Sequence, residues 1–210
     1  MPLLVSGYKR MGKDTFYNNV ASGVYLDSIY DFYILPTDRS CMFRMFLTKH
    51  GKRHAFADPL KYEVAQYLGV SIERLEEIKD EIMCTPYLFR TFVPSIYATN
   101  RDLMKDIANA NRIVDENYYA RPVARSVGPF DFITDHRYPN ETKEITNVWP
   151  LCTMTARVIR EGVPVPALDD ISERGLDNEV PEVLITSKNI HLNPHYTNVL
   201  KGREKILVGR

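Results

Sequence analysis

The chain has 210 residues, 44% of them apolar, with 27 basic and 27 acidic side chains. That length and apolar share suffice for one sizeable core. A formal charge of zero gives no long-range field to attract duplex DNA, so an anion bound here has to be gripped locally.

Leu3–Ser6 is a short apolar run ending at Gly7 and reads as a buried strand, and Lys13–Val20 reads as a helix. Residues 24–52 are rich in aromatics, contain Pro36 and fit no regular element, so an irregular excursion or a small inserted lobe is expected there. His54–Ala57 is a second strand candidate, followed by a helix with Asp58 as N-cap and Pro59 in its first turn. Apolar residues recur every three or four positions in Ser71–Ile82 and Leu103–Val114, the rhythm of amphipathic helices. Phe130–Thr134, Thr155–Ile159 and Val183–Thr186 are three more strand candidates. Strands alternating with helices predict an α/β fold with a mainly parallel sheet covered on both faces, in a single domain spanning 1–210.

Cys41, Cys84 and Cys152 stand far apart without a CxxC pair, which argues against a zinc site and a disulfide framework and for a reducing compartment. Too few residues precede Gly7 for a secretory leader, and no run approaches membrane-spanning length. A soluble, intracellular chain without a membrane partner is expected.

Between the first strand and helix lies Gly7-Tyr8-Lys9-Arg10-Met11-Gly12-Lys13-Asp14-Thr15, a G-x4-G-K pattern. Glycines let backbone N–H groups turn toward phosphate oxygens, the helix start adds its dipole, and Lys13 adds a point charge. This segment through Phe16 is the predicted nucleotide site, with Gly7, Lys9, Gly12, Lys13, Asp14, Thr15 and Phe16 as its residues. Asp14 stands where a magnesium-binding Ser or Thr is usual, so Thr15 is expected to supply the hydroxyl one position later. A structural turn without a ligand is the alternative.

Three separated blocks carry a family resemblance: Tyr8–Thr15, Phe56-Ala57-Asp58-Pro59-Leu60-Lys61, and Thr134-Asp135-His136-Arg137-Tyr138-Pro139-Asn140-Glu141. Arg101-Asp102-Leu103-Met104 with Arg112, and Ser172-Glu173, echo it more weakly. In this order they resemble viral and phage deoxynucleoside monophosphate kinases over nearly the whole chain apart from 24–52. The resemblance implies a P-loop NTPase fold of three α/β/α layers, nucleoside monophosphate kinase-like, with ATP and Mg2+ as cofactors. It further implies transfer of a phosphoryl group to a deoxynucleoside monophosphate, in the cytoplasm, or the host cytoplasm for a viral chain. The family usually has Gly-Thr near Ala108-Asn109, so the contacts to the acceptor base stay open.

Within that scheme Lys13, Arg10, Asp135 and Arg137 are the expected catalytic residues, with Thr15 and Asp135 toward magnesium. Asp58, Lys61, Arg101, Arg112 and Glu141 are the expected acceptor site. A turn-forming role for Asp135, capping and a surface ion pair for Asp58 and Lys61, and orientation of Arg137 for Glu141 are the plainer readings. Arg157, Arg160 and Arg174 are expected in solvent, Tyr118-Tyr119 in a core, and the five histidines show no metal spacing. Phosphomevalonate kinase of the animal type, with a similar Lys-Arg loop running into Gly-Lys-Asp, and a non-catalytic nucleotide-binding module are the rival readings. A homodimer is allowed by the apolar 24–52 stretch, and a nucleic-acid partner is not expected.

Overall fold

The computed structural model describes residues 2–36, 39–81, 99–151, 153–167, 170–188, 190 and 200–208. Leu3–Ser6 (β1) is buried at every position, as a strand needs to be when it has neighbours on both sides and layers on both faces. It pairs in parallel with Phe132–His136 (β4) and with Met154–Ile159 (β5). Arg53–His54 (β3) adds in parallel to β4, and Val183–Ser187 (β6) in parallel to β5. Tyr30–Ile34 (β2) runs antiparallel to β6, and Glu204–Ile206 (β7) antiparallel to β2. The order among the described residues is β3-β4-β1-β5-β6-β2-β7, a mostly parallel mixed sheet of an α/β protein.

Successive residues of a strand face opposite sides, and the two cores divide accordingly. Leu3, Val5 and Phe132 face a cluster shared with Phe16 and Val20 of Lys13–Ala21 (α1) and with Phe43 and Phe46 of Ser40–Lys49 (α2). Leu4 and Ile133 face the other side, against Val123 of Ala120–Ser126 (α6) and Ile145 of Pro139–Val148 (α7). A third cluster joins Asp58–Leu68 (α3), Ile72–Ile78 (α4) and Asn100–Val114 (α5) through Leu60, Val64, Leu75 and Ala108. Among the described residues no helix is long and apolar enough to cross a membrane.

Residues 30–34 and 40–49, expected to be irregular, are a sheet strand and a helix. Their aromatics are core residues: Phe32, Phe43 and Phe46 are fully buried, and Phe16 lies edge-on to Tyr30 with ring centroids 5.5 Å apart. β4 begins at Phe132 because Phe130 adopts φ 67°, a left-handed conformation that ends a strand. Pro139, which reads as a turn marker, sits in the first turn of α7, where its missing N–H removes no helical bond. Asp58 belongs to α3, behind an N-cap at Ala57, and its carboxylate accepts the Ala55 N–H at 3.0 Å. The helix expected over 71–82 ends at Ile78, before a turn at 79–81, and Ile82 lies outside the described residues.

Phe16, expected to touch the nucleotide, has a fully buried side chain, and its N–H donates to the Gly12 carbonyl at 2.8 Å as the first bond of the helix. It positions α1 from beneath the sheet-facing side. Phe16→Ala should lower stability by about 3–5 kcal/mol through the cavity it leaves, measured by urea unfolding. A change below about 1 kcal/mol would contradict the packing described here.

Candidate functional site

The chain reverses between β1 and α1 through two glycines required for different reasons. A Cβ on Gly7 would stand 2.7 Å from the Val158 carbonyl oxygen, so close approach to β5 demands glycine. Gly12 has room for a Cβ but sits at φ 88°, a conformation that glycine reaches without strain. Tyr8 and Met11 are buried and anchor the loop on Ile159 and Leu184, whereas Lys9 and Arg10 are exposed. Gly12 caps α1 without any side-chain hydrogen bond. The amides of Lys13, Asp14 and Thr15 therefore start the helix without a carbonyl partner inside it, at the positive end of its dipole.

Lys13 lies over this turn, its Nζ donating to the carbonyls of Gly7 at 2.5 Å and Tyr8 at 3.1 Å. Burial, and next the positive Arg137, hold its pKa below the ordinary lysine value. Arg137 follows the end of β4 and lines a cleft with Gly7 and Tyr8, with Nη1 2.5 Å from Glu173 Oε1. That cleft, a shallow one, is lined by Gly7, Tyr8, Arg137, Arg157, Glu173 and Asp177 among others. Lys13 and Arg137, from separate parts of the sequence, are near enough for the charge of one to lower the pKa of the other.

Asp135 is half-buried at the end of β4, and its two oxygens accept the N–H groups of Phe56 at 2.6 Å and Ala57 at 2.8 Å. It ties β4 to the turn before α3, while burial raises its pKa. Glu141, expected to meet the acceptor, is 4% exposed. Its Oε2 instead accepts the N–H of Arg137 at 2.7 Å and of Tyr138 at 3.0 Å, closing a capping box on α7. It therefore orients the backbone that carries Arg137. Burial, and next the neighbouring Asp135, push its pKa up to about 8.

The other expected site residues are placed as follows. The Asp14 carboxylate accepts Thr134 Oγ1–H at 2.6 Å and Arg53 Nε–H at 2.7 Å, pinning α1 to β4 and β3. Burial opposes its ionisation, but those two hydrogen bonds prevail and hold its pKa below the usual aspartate value. Thr15 is exposed in the first turn. Lys61 pairs with Glu76 at 2.7 Å and stands 3.9 Å from Asp58. Arg101 makes a two-pronged contact with Asp80, at 2.6 and 2.9 Å, whereas Arg112 lies 4.7 Å over the Tyr138 ring. The two arginines share a helix but not a partner.

Arg157, expected in solvent, is 7% exposed, and its Nη2 donates to the carbonyls of Leu176 and Glu179. Arg174 is paired with Asp177 at 2.6 Å, and Arg160 is exposed as expected. Tyr118 and Tyr119 stack edge-on at 4.9 Å, with Tyr119 buried. Sequence reasoning missed the joint placement of Tyr8, Glu173 and Asp177: the Tyr8 hydroxyl donates to Asp177 at 2.7 Å and the Lys9 N–H to Glu173 at 2.6 Å. The Ser172-Glu173 echo was the available signal, but it carried no role.

Among the described residues no three His, Cys, Asp or Glu side chains gather as a metal cage. Comparison with protein-family models and with curated proteins gives no match.

Glu141 provides a test of this geometry. Its folded pKa is raised, so its contribution to stability is full below the unfolded value of 4.5 and drains as pH rises through about 8. Glu141→Gln keeps an oxygen for the two N–H groups and removes the ionisation. Between about pH 5 and pH 8.5 the wild-type melting temperature should fall relative to that of the variant. Parallel curves would contradict a buried, proton-retaining Glu141.

Proposed function

We propose that the chain is a P-loop kinase that moves the γ-phosphoryl group of ATP to a deoxynucleoside monophosphate. The observation that carries this reading is that Lys13, held on the Gly7 and Tyr8 carbonyls, stands close enough to Arg137 to feel its charge, beside the uncapped start of α1. Three α1 amides, an ammonium and a guanidinium form a site for a polyphosphate. Seven strands with helices on both faces, and the loop at the carboxyl end of β1, fit a P-loop NTPase architecture.

In this reading the amides of Lys13, Asp14 and Thr15 hold the phosphates and Lys13 turns from the Gly7 and Tyr8 carbonyls to the β- and γ-oxygens. Arg137, placed by Glu141, meets the migrating group, and the exposed Arg10 meets it from the loop. The residues present fit a magnesium ion, because such an ion keeps most of its waters and takes its other ligands from phosphates. Thr15 offers an exposed hydroxyl, and each Asp135 oxygen, with one amide donor, retains a lone pair toward a metal-bound water. Thr15 and, through water, Asp135 would hold the ion, which would supply positive charge against the charge that develops on the phosphates. The acceptor lies toward α3 and α5, the helices that carry Asp58 and Lys61, and Arg101 and Arg112. Catalysis is then orientation and charge stabilisation, with little covalent chemistry for the protein to supply.

A turnover assay with magnesium-ATP and dAMP, dCMP, dGMP, dTMP or phosphomevalonate tests the acceptor class. At least one deoxynucleoside diphosphate should form, whereas product from phosphomevalonate alone would reject it. Lys13→Ala and Arg137→Ala should each lower kcat/KM on the order of 100-fold or more. Arg137→Lys should recover only part of the loss, since a lysine cannot reproduce a planar two-pronged contact. Nucleotide binding without transfer to any acceptor would point to a binding module instead.

A further inference from the structure

Glu173 stands on the donors that a phosphate would use. Its Oε2 accepts the Lys9 N–H at 2.6 Å, on the outward limb of the glycine loop, and its Oε1 lies 2.5 Å from Arg137 Nη1. The side chain is only 9% exposed, against 34% for Arg137, so this contact is shielded from water better than an ordinary surface ion pair. A carboxylate oxygen pair is an anion of nearly the same bite as two oxygens of a phosphate. Neither the loop amide nor the guanidinium can give the same hydrogen to both.

The segment behind Glu173 is fixed independently of it. Tyr8 Oη–H holds Asp177 at 2.7 Å, Arg174 also pairs with Asp177 at 2.6 Å, and buried Arg157 holds the Leu176 and Glu179 carbonyls. Glu173 belongs to the single turn Ile171–Arg174 (α8). Its side chain can swing away by rotamer change while residues 176–179 remain clamped to the loop.

We propose that Glu173 is a built-in competitor anion, a gate that holds the Lys9 amide and Arg137 until a phosphoryl group displaces it. The gate deepens the phosphate-loop reading given above and rests on it. It makes the binding of a polyphosphate an exchange of anions at fixed donors: the carboxylate leaves Lys9 and Arg137 as phosphate oxygens arrive.

Isothermal titration calorimetry with magnesium-ATP, and separately with magnesium tripolyphosphate, measures the exchange directly. Glu173→Gln removes the charge at nearly constant shape and should tighten binding of both ligands about tenfold, the size of one lost charge-assisted contact. Glu173→Asp keeps the charge but cannot span both donors, and should tighten binding by a smaller factor. Glu204→Gln, a charge change on exposed β7 four strands from β1, should leave both affinities unchanged. Wild-type binding with Glu173→Gln equal or weaker would overturn the gate and leave the phosphate-loop reading standing. Absence of binding in the wild type and in Glu173→Gln alike would overturn both.

Discussion

The left-handed turn at Gly12 is the constraint on which the site depends. A strand buried on both faces brings the chain out of the sheet at Ser6, and within six residues it has to become a helix. Gly12 makes the reversal at φ 88° without strain, and Phe16, locked among Tyr30, Phe32 and Phe132, fixes the direction of the helix that follows. Asp14 adds a polar tether to Thr134 and Arg53. With the helix pinned by its core face and by Asp14, the amides at its start point where the sheet ends, without any side chain of the loop capping them.

Charge around that point is arranged as a balance of opposed groups that are individually costly. Burial lowers the pKa of Lys13 and raises those of Asp135 and Glu141. Shifts in these directions mean that burial disfavours the charged form of each group. The carboxylates have positions that explain their retention. Asp135 joins β4 to the turn before α3, Glu141 caps α7 beneath Arg137, and Glu173 bridges Arg137 to the loop. Arg137 is therefore held at its backbone by one acid and at its guanidinium by another.

Much of the fold was legible in the sequence. β1, α1, β5 and β6 were predicted within a residue or two, because apolar runs bounded by glycine or polar residues have few alternatives to buried strands. Residues 24–52 were not legible, since β2 joins the sheet antiparallel with partners β6 and β7 far along the chain, and its aromatics resemble an insertion until those partners are known. α6 and α7 were not predicted; each carries a proline, Pro122 and Pro139, in its first turn, where a missing N–H breaks no helical bond. For the site, the neighbouring of β1 and β4 brings the segments that carry Lys13 and Arg137 to one end of the sheet. Phe16 was misjudged because adjacency to the loop says nothing about which face of α1 it occupies. For Glu141 the sequence left two roles open, meeting the acceptor or orienting Arg137, and its carboxylate accepts the Arg137 N–H, which fits the second.

The central claim is that the start of α1 and the loop before it grip a polyphosphate. Backbone amide NMR during titration with magnesium and a non-hydrolysable ATP analogue tests this most directly. The account predicts that the largest shifts fall on the amides of residues 9–15 and on Arg137, with β7 unaffected. Shifts confined to other parts of the sheet, or none at saturating nucleotide, would contradict it.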